Sequence, residues 1–204
     1  MRSSGWSSHA SVSIDAPPSC VWKAIVDIEA SKAIIPSIQS LECSADDSTM
    51  QMGARWKEVR NYKGRDIVLI KTVTSMNEND PYYDVQINVD FPSHPHVTNT
   101  STLSIQPDGK DKSRSILVGT MAVQAAGLFQ RLSFICLACF VQRETSRDFQ
   151  HEMECYETAG AYIEYLRRRE SIEASSPTKN WMITPYPLVA GPTSVDQSNF
   201  CSIW

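Results

Sequence analysis

The chain has 204 residues, 42% of them hydrophobic, enough to bury the core of one ordinary domain and too apolar to be disordered throughout. Its 19 Lys and Arg stand against 23 Asp and Glu, a formal charge of −4. That argues against nucleic acid as a partner, because phosphate binding needs a concentrated basic surface, and the one dense basic run, Arg167-Arg168-Arg169, suits a helix C-terminus.

The longest uncharged apolar run, 132–141, falls short of the ~20 residues of a membrane-spanning helix. The first nine residues lack the apolar stretch of a secretory signal. Six cysteines, at 20, 43, 136, 139, 155 and 201, are scattered rather than arranged as the framework of a small secreted domain. These features predict a reducing, cytoplasmic setting without a transmembrane segment; transient contact with a membrane surface is compatible with them.

Residues 1–9 are small and polar and are expected to form a flexible arm. A short strand is predicted over 11–15, with Val12 and Ile14 on one face. Pro17 and Pro18 suit the first turn of a helix. The i, i+4, i+7 repeat of Val21, Ile25 and Ile28 predicts that helix over 18–28. A second short helix is expected over 31–35, closed by Pro36.

From residue 38 the apolar period becomes two. Strands are predicted over 38–45, 54–62, 66–76, 82–91, 97–106 and 113–124. The segments between them hold turn formers such as Gly64 and Pro107-Asp108-Gly109. In the clearest strand Tyr83, Val85, Ile87, Val89 and Phe91 alternate with polar residues, as in an antiparallel sheet with one wet face. Short connections make the strands a meander.

Residues 128–170 contain no proline and a single glycine, Gly160. The stripe Leu128, Leu132, Ile135, Cys139, Phe149, Met153, Tyr156, Gly160 and Ile163 predicts a long amphipathic helix. The stripe turns polar at Gln142 and Ser146, where a bend, or polar side chains facing something polar inside, is expected. Residues 171–204 hold four prolines and three charges and read as a disordered tail. The expected organisation is therefore an arm over 1–9, a domain over 10–170 and a tail over 171–204.

The fold class is α+β. A curved antiparallel sheet of about seven strands wraps on a long C-terminal helix, with two short helices after the first strand. Such a sheet and one helix leave a gap, which is the natural place for a ligand.

Several segments in this order also resemble a known superfamily. Ala16-Pro17-Pro18-Ser19-Cys20-Val21-Trp22 resembles the opening of the START and pollen-allergen proteins, the SRPBCC or helix-grip superfamily. Gly53-Ala54-Arg55-Trp56-Lys57-Glu58 is similar to its Gly-x-Arg-x-x-Glu strand, and Gly64-Arg65 to the hairpin that follows. Pro107-Asp108-Gly109 resembles the hairpin before the last strand, and the segment from Arg147 to Met153 the final helix. The resemblance covers about residues 10–170 and is nearest to the polyketide cyclase/dehydrase-like branch. It implies a helix-grip fold around a small hydrophobic or amphipathic ligand.

Candidate site residues follow from the period of two. If Trp56 faces inward, so do Glu58, Arg60 and Tyr62. A Glu–Arg pair among aromatics can orient a polar head group, serve as acid and base, or simply be a structural ion pair. Asn99 and Ser101 share a face with Val97, Leu103 and Ile105 and are candidate polar contacts. Tyr83, Phe91, Met121, Met153 and Tyr156 are inward by pattern, as core or as cavity lining.

No metal is expected. His94-Pro95-His96 and the single Cys136-x-x-Cys139 fall short of a four-ligand zinc site. No phosphate loop or nucleophile elbow appears, and no cofactor is expected. The expected function is a carrier or sensor for a lipid, sterol or polyketide. The alternatives are a cyclase or dehydratase using Glu58 with a raised pKa, and an interaction module acting through the tail.

Overall fold

The computed structural model describes residues 4–43, 48–62, 64–109, 111–125, 128–160 and 163. The expected tail over 171–204 lies outside the described residues, as do the side chains of the first half of the predicted helical stripe, Leu128 to Cys139. The elements are β1 (Ser4–Ile14), α1 (Pro18–Val26), α2 (Ile28–Ile34), β2 (Ile38–Cys43), β3 (Arg55–Tyr62), β4 (Arg65–Asn79), β5 (Tyr82–Asp90), β6 (Val97–Asp108), β7 (Asp111–Ala125) and α3 (Leu128–Thr158). The seven strands form one antiparallel sheet in the order β1-β7-β6-β5-β4-β3-β2. Strands β2 to β7 are a meander, and β1 closes onto β7. Because β1 and β2 occupy opposite edges, the α1–α2 pair between them crosses from one side of the sheet to the other.

Two boundaries differ from expectation. Residues 4–9, expected in a flexible arm, belong to β1 and pair in register with β7 from Ser4–Ala125 to His9–Thr120. Small polar residues have weak strand preference, and the backbone ladder offered by the long β7 overrides it. The first helix stops at Val26, and the second begins at Ile28. Asp27 separates them: its side chain accepts a hydrogen bond from the Ala30 N–H at 3.1 Å and so starts a new helix.

One face of the sheet carries the core. Ala10, Val12 and Ile14 of β1, Tyr83 to Val89 of β5, and Leu117, Met121 and Val123 of β7 are buried at every second position. On α3, Phe149, Met153 and Tyr156 are buried, and so are Gly160 and Ile163 just past its end, as the stripe predicted. The helix runs unbroken through Gln142, which is exposed, and Ser146, which is partly exposed. Ring stacking of Trp22 on Tyr83, 5.3 Å between centroids, sets α1 on the same face. Among the described residues no helix is long and apolar enough to cross a membrane.

Gly119 sets how closely α3 lies on the sheet. A Cβ there would stand 2.6 Å from Phe149 Cζ and 2.8 Å from Met153 Sδ. Its neighbour across on β1 is Ala10, so two small residues make a seat for the helix. Gly119→Val is expected to cost about 1–3 kcal/mol by overpacking. In a Met153→Ala background the cost should shrink, read by urea unfolding of the four chains; equal costs in both backgrounds would refute the contact.

Candidate functional site

The period of two on β3 does bring Trp56, Glu58 and Arg60 to the inner face. Trp56 is 3% exposed and Glu58 1%. The neighbouring β4 adds Lys71, directly opposite Trp56. Its Nζ lies 2.9 Å from Glu58 Oε2 and 5.9 Å from the Trp56 ring centroid. Arg60 Nε donates to the other Glu58 oxygen. Arg60 then reaches α3, where Nη1 donates to Glu152 Oε2 at 2.5 Å and Nη2 to Oε1 at 3.3 Å. Two cations and two anions thus form one neutral network across the space between sheet and helix.

The charges hold one another ionised. Burial alone would raise the Glu58 carboxyl, but Lys71 and Arg60 outweigh it and hold its pKa down at about 2. Burial likewise opposes, and Arg60 then Lys71 overcome, so that Glu152 also sits below the usual carboxylate range. Burial disfavours the Arg60 cation, yet Glu152 and Glu58 raise its pKa further. One turn along α3, burial and then Glu152 push the Tyr156 hydroxyl upward, against a hydrogen bond with Ser31 of α2. A raised Glu58 pKa, the condition for its acid role, is therefore the opposite of what the network imposes.

The network also dictates the shape of the sheet. Met153 of α3 touches Gly119 on β7, while its neighbour Glu152 bonds Arg60 on β3, four strands away. Four strand spacings in a flat sheet span about 19 Å, beyond the reach of an Arg–Glu pair. The sheet must therefore curl so that β3 comes round toward α3, which packs on β1 and β7.

The other expected residues fall into separate places. Asn99, Ser101 and Met121 lie on the inner face of β6 and β7, with Ser101 and Met121 in register. Phe91, just past β5, is partly buried against the core. Met153 is fully buried against Gly119. Tyr83 belongs to the α1 contact: it stacks on Trp22, and its hydroxyl donates to Asp80 Oδ1 at 2.7 Å. Tyr62 is partly buried at the hairpin end of β3, opposite Arg65.

Sequence reasoning missed Lys71 and Glu152. Lys71 shares its alternation with Ile67, Leu69 and Val73, and Glu152 stands three residues after Phe149 and four before Tyr156. A lone charge within each apolar pattern was the available signal. Among the described residues no three His, Cys, Asp or Glu side chains are grouped to hold a metal ion.

A profile of the family described as polyketide cyclase/dehydrase and lipid transport matches residues 6–148. Solved structures with a similar fold include Ara h 8.0201, at 14% identity and a TM-score of 0.57 over 78% of this chain and 99% of that one. Another is a protein of Thermus thermophilus, TTHA0849, at 18% identity and 0.58 over 77% and 98%. A third is a point mutant of norcoclaurine synthase from Thalictrum flavum in complex with a transition-state analogue, at 9% identity and 0.56 over 80% and 99%. At such identities the likeness concerns the fold alone. No curated protein matches the chain.

Arg60→Met should cost about 3–5 kcal/mol at neutral pH, because it leaves Glu152 and Glu58 each short of a buried partner; a loss below about 1 kcal/mol in chemical denaturation would mean the pair is weak. The acid dependence follows from the depressed Glu58 pKa. The contribution is complete above about pH 4.5 and is lost as pH falls toward about 2. Glu58→Gln should flatten that limb of the stability curve, and an unchanged acid limb would count against the network.

Proposed function

The chain belongs to the polyketide cyclase/dehydrase and lipid transport family, and we propose that it holds a small hydrophobic or amphipathic molecule, of the lipid, sterol or polyketide kind, between the concave sheet and α3. The observation that carries this reading is an uncovered stretch of the inner face. On β6, Asn99 is 8% exposed and Ile105 2%, yet Ser101 and Leu103 between them are partly exposed. Their partners in register, Ile87 and Val85 on β5 and Met121 on β7, are buried. In the order of the sheet this patch stands between β7, on which α3 packs, and β3, to which α3 is tied. An apolar molecule laid there removes apolar surface from water at about 25 cal/mol per Å².

Ser101, Leu103, Met121 and Met153 border the patch, with Asn99 and Phe91 toward one end of the strands. The charged network stands on the β3 side. Its carboxylates are engaged by cations, which favours binding over acid–base chemistry at Glu58.

Native mass spectrometry of the purified protein, followed by organic extraction, tests the reading. We expect a reproducible adduct that disappears on denaturation. Leu103→Phe should fill the uncovered stretch and weaken binding about ten-fold or more with little change in melting temperature. A protein that arrives bare and binds no fatty acid, sterol or aromatic polyketide would overturn it.

A further inference from the structure

Two polar atoms in the interior have no hydrogen-bond partner among the described residues: the Trp6 indole Nε1 and the Asn99 carboxamide Oδ1. They lie on one row of the sheet. Trp6 on β1 is opposite Val123 on β7, and Val123 is opposite Asn99 on β6. The row continues into Val89 on β5. The alternation that buries Ala10, Val12 and Ile14 places Trp6 on the inner face, and Asn99 shares its face with Ile105. Two strand spacings, about 10 Å, separate the Trp6 and Asn99 backbones, a span that the polar end of a ligand lying over Val123 can bridge.

The two atoms are complementary in kind. Among the described residues the indole proton meets no acceptor and the carboxamide oxygen no donor. The other residues of the row, Val123 and Val89, are buried and apolar. Folded proteins seldom leave buried polar atoms unpaired, and an unpaired donor and acceptor on one row ask for one group that does both. A hydroxyl does both. A methyl ether accepts only, a hydrocarbon does neither, and a carboxylate would set its charge against the carboxamide oxygen.

We propose that the bound molecule carries an alcohol or phenol hydroxyl on the row Trp6–Val123–Asn99, accepting from the Trp6 indole N–H and donating to Asn99 Oδ1, with its apolar body over Ser101 and Leu103. This rests on the binding reading above and narrows it to hydroxylated lipids, sterols or phenolic polyketides. The polar end then lies on the β1 side of the sheet, away from Glu58 and Arg60. Those charges satisfy one another and ask nothing of a ligand.

Displacement of bound anilinonaphthalene sulfonate by matched pairs tests this: naphthol against its methyl ether, and octadecanol against its methyl ether. The natural protein should favour each free hydroxyl by about ten-fold or more, the cost of a buried acceptor left unpaired. Asn99→Leu should abolish that preference, and Trp6→Phe should weaken hydroxyl and ether alike. Without any ligand, Asn99→Leu should melt no lower than the natural protein, because it removes an unpaired acceptor. A large fall in melting temperature, or failure to fold, would mean that Oδ1 is paired within the protein and would overturn the assignment. Equal affinity for hydroxyl and ether in the natural protein would overturn it too, while leaving the binding reading intact. No displacement by any of the four probes would overturn both.

Discussion

A single ion pair, Arg60 to Glu152, decides the geometry of the interior. Glu152 sits beside Met153, which is pressed against Gly119 on β7. Its partner is on β3, at the other side of the sheet. A helix that touches β7 and bonds β3 in the same turn can do so only if the sheet closes around it. The curvature of the sheet follows from that one constraint, and the partly exposed stretch at Ser101 and Leu103 lies between the two strands it joins. Gly119 and Ala10 serve it by letting the helix sit low on its near side.

The network is neutral and mostly buried, so its attraction is offset by the cost of removing four charges from water. Its value lies in direction rather than depth. An apolar contact between α3 and β3 could slide, whereas a bidentate guanidinium–carboxylate pair fixes distance and orientation. Lys71 completes the arrangement by balancing Glu58; without it, Arg60 would be one buried cation shared between two carboxylates. The same balance works against Glu58 as a proton donor. A carboxyl held at about pKa 2, with each oxygen facing a cation, is built as an anchor.

Membership of a family whose description spans cyclases, dehydrases and lipid transport leaves the chemistry to the inner face. On that face the two sides differ in kind. The β3–β4 side is charged and internally satisfied. The β1–β7–β6 side carries apolar and small hydroxyl side chains, and on it the Trp6 indole nitrogen and the Asn99 carboxamide oxygen are unpaired among the described residues. Polar groups that the fold leaves wanting are better indicators of a ligand than polar groups that already satisfy one another.

Much of this was legible from residues alone. The period of two located six strands, the stripe from Phe149 to Tyr156 located the buried face of α3, and Trp56, Glu58 and Arg60 were placed inward together, because these depend only on alternation along one element. Element ends were less legible. Residues 4–9 look like an arm until β7 pairs with them, and Asp27 divides the helices through a side-chain cap within an otherwise continuous apolar pattern. Lys71 and Glu152 are lone charges on otherwise apolar faces, and their meaning appears only when strand, strand and helix converge. The elements, their inner faces and the order in which they join were thus written in the residues, since local periodicity encodes them. Which charges meet, where α3 leaves the sheet uncovered and which buried atoms lack partners emerged only on folding, because those depend on distances between residues as far apart in the chain as Arg60 and Glu152.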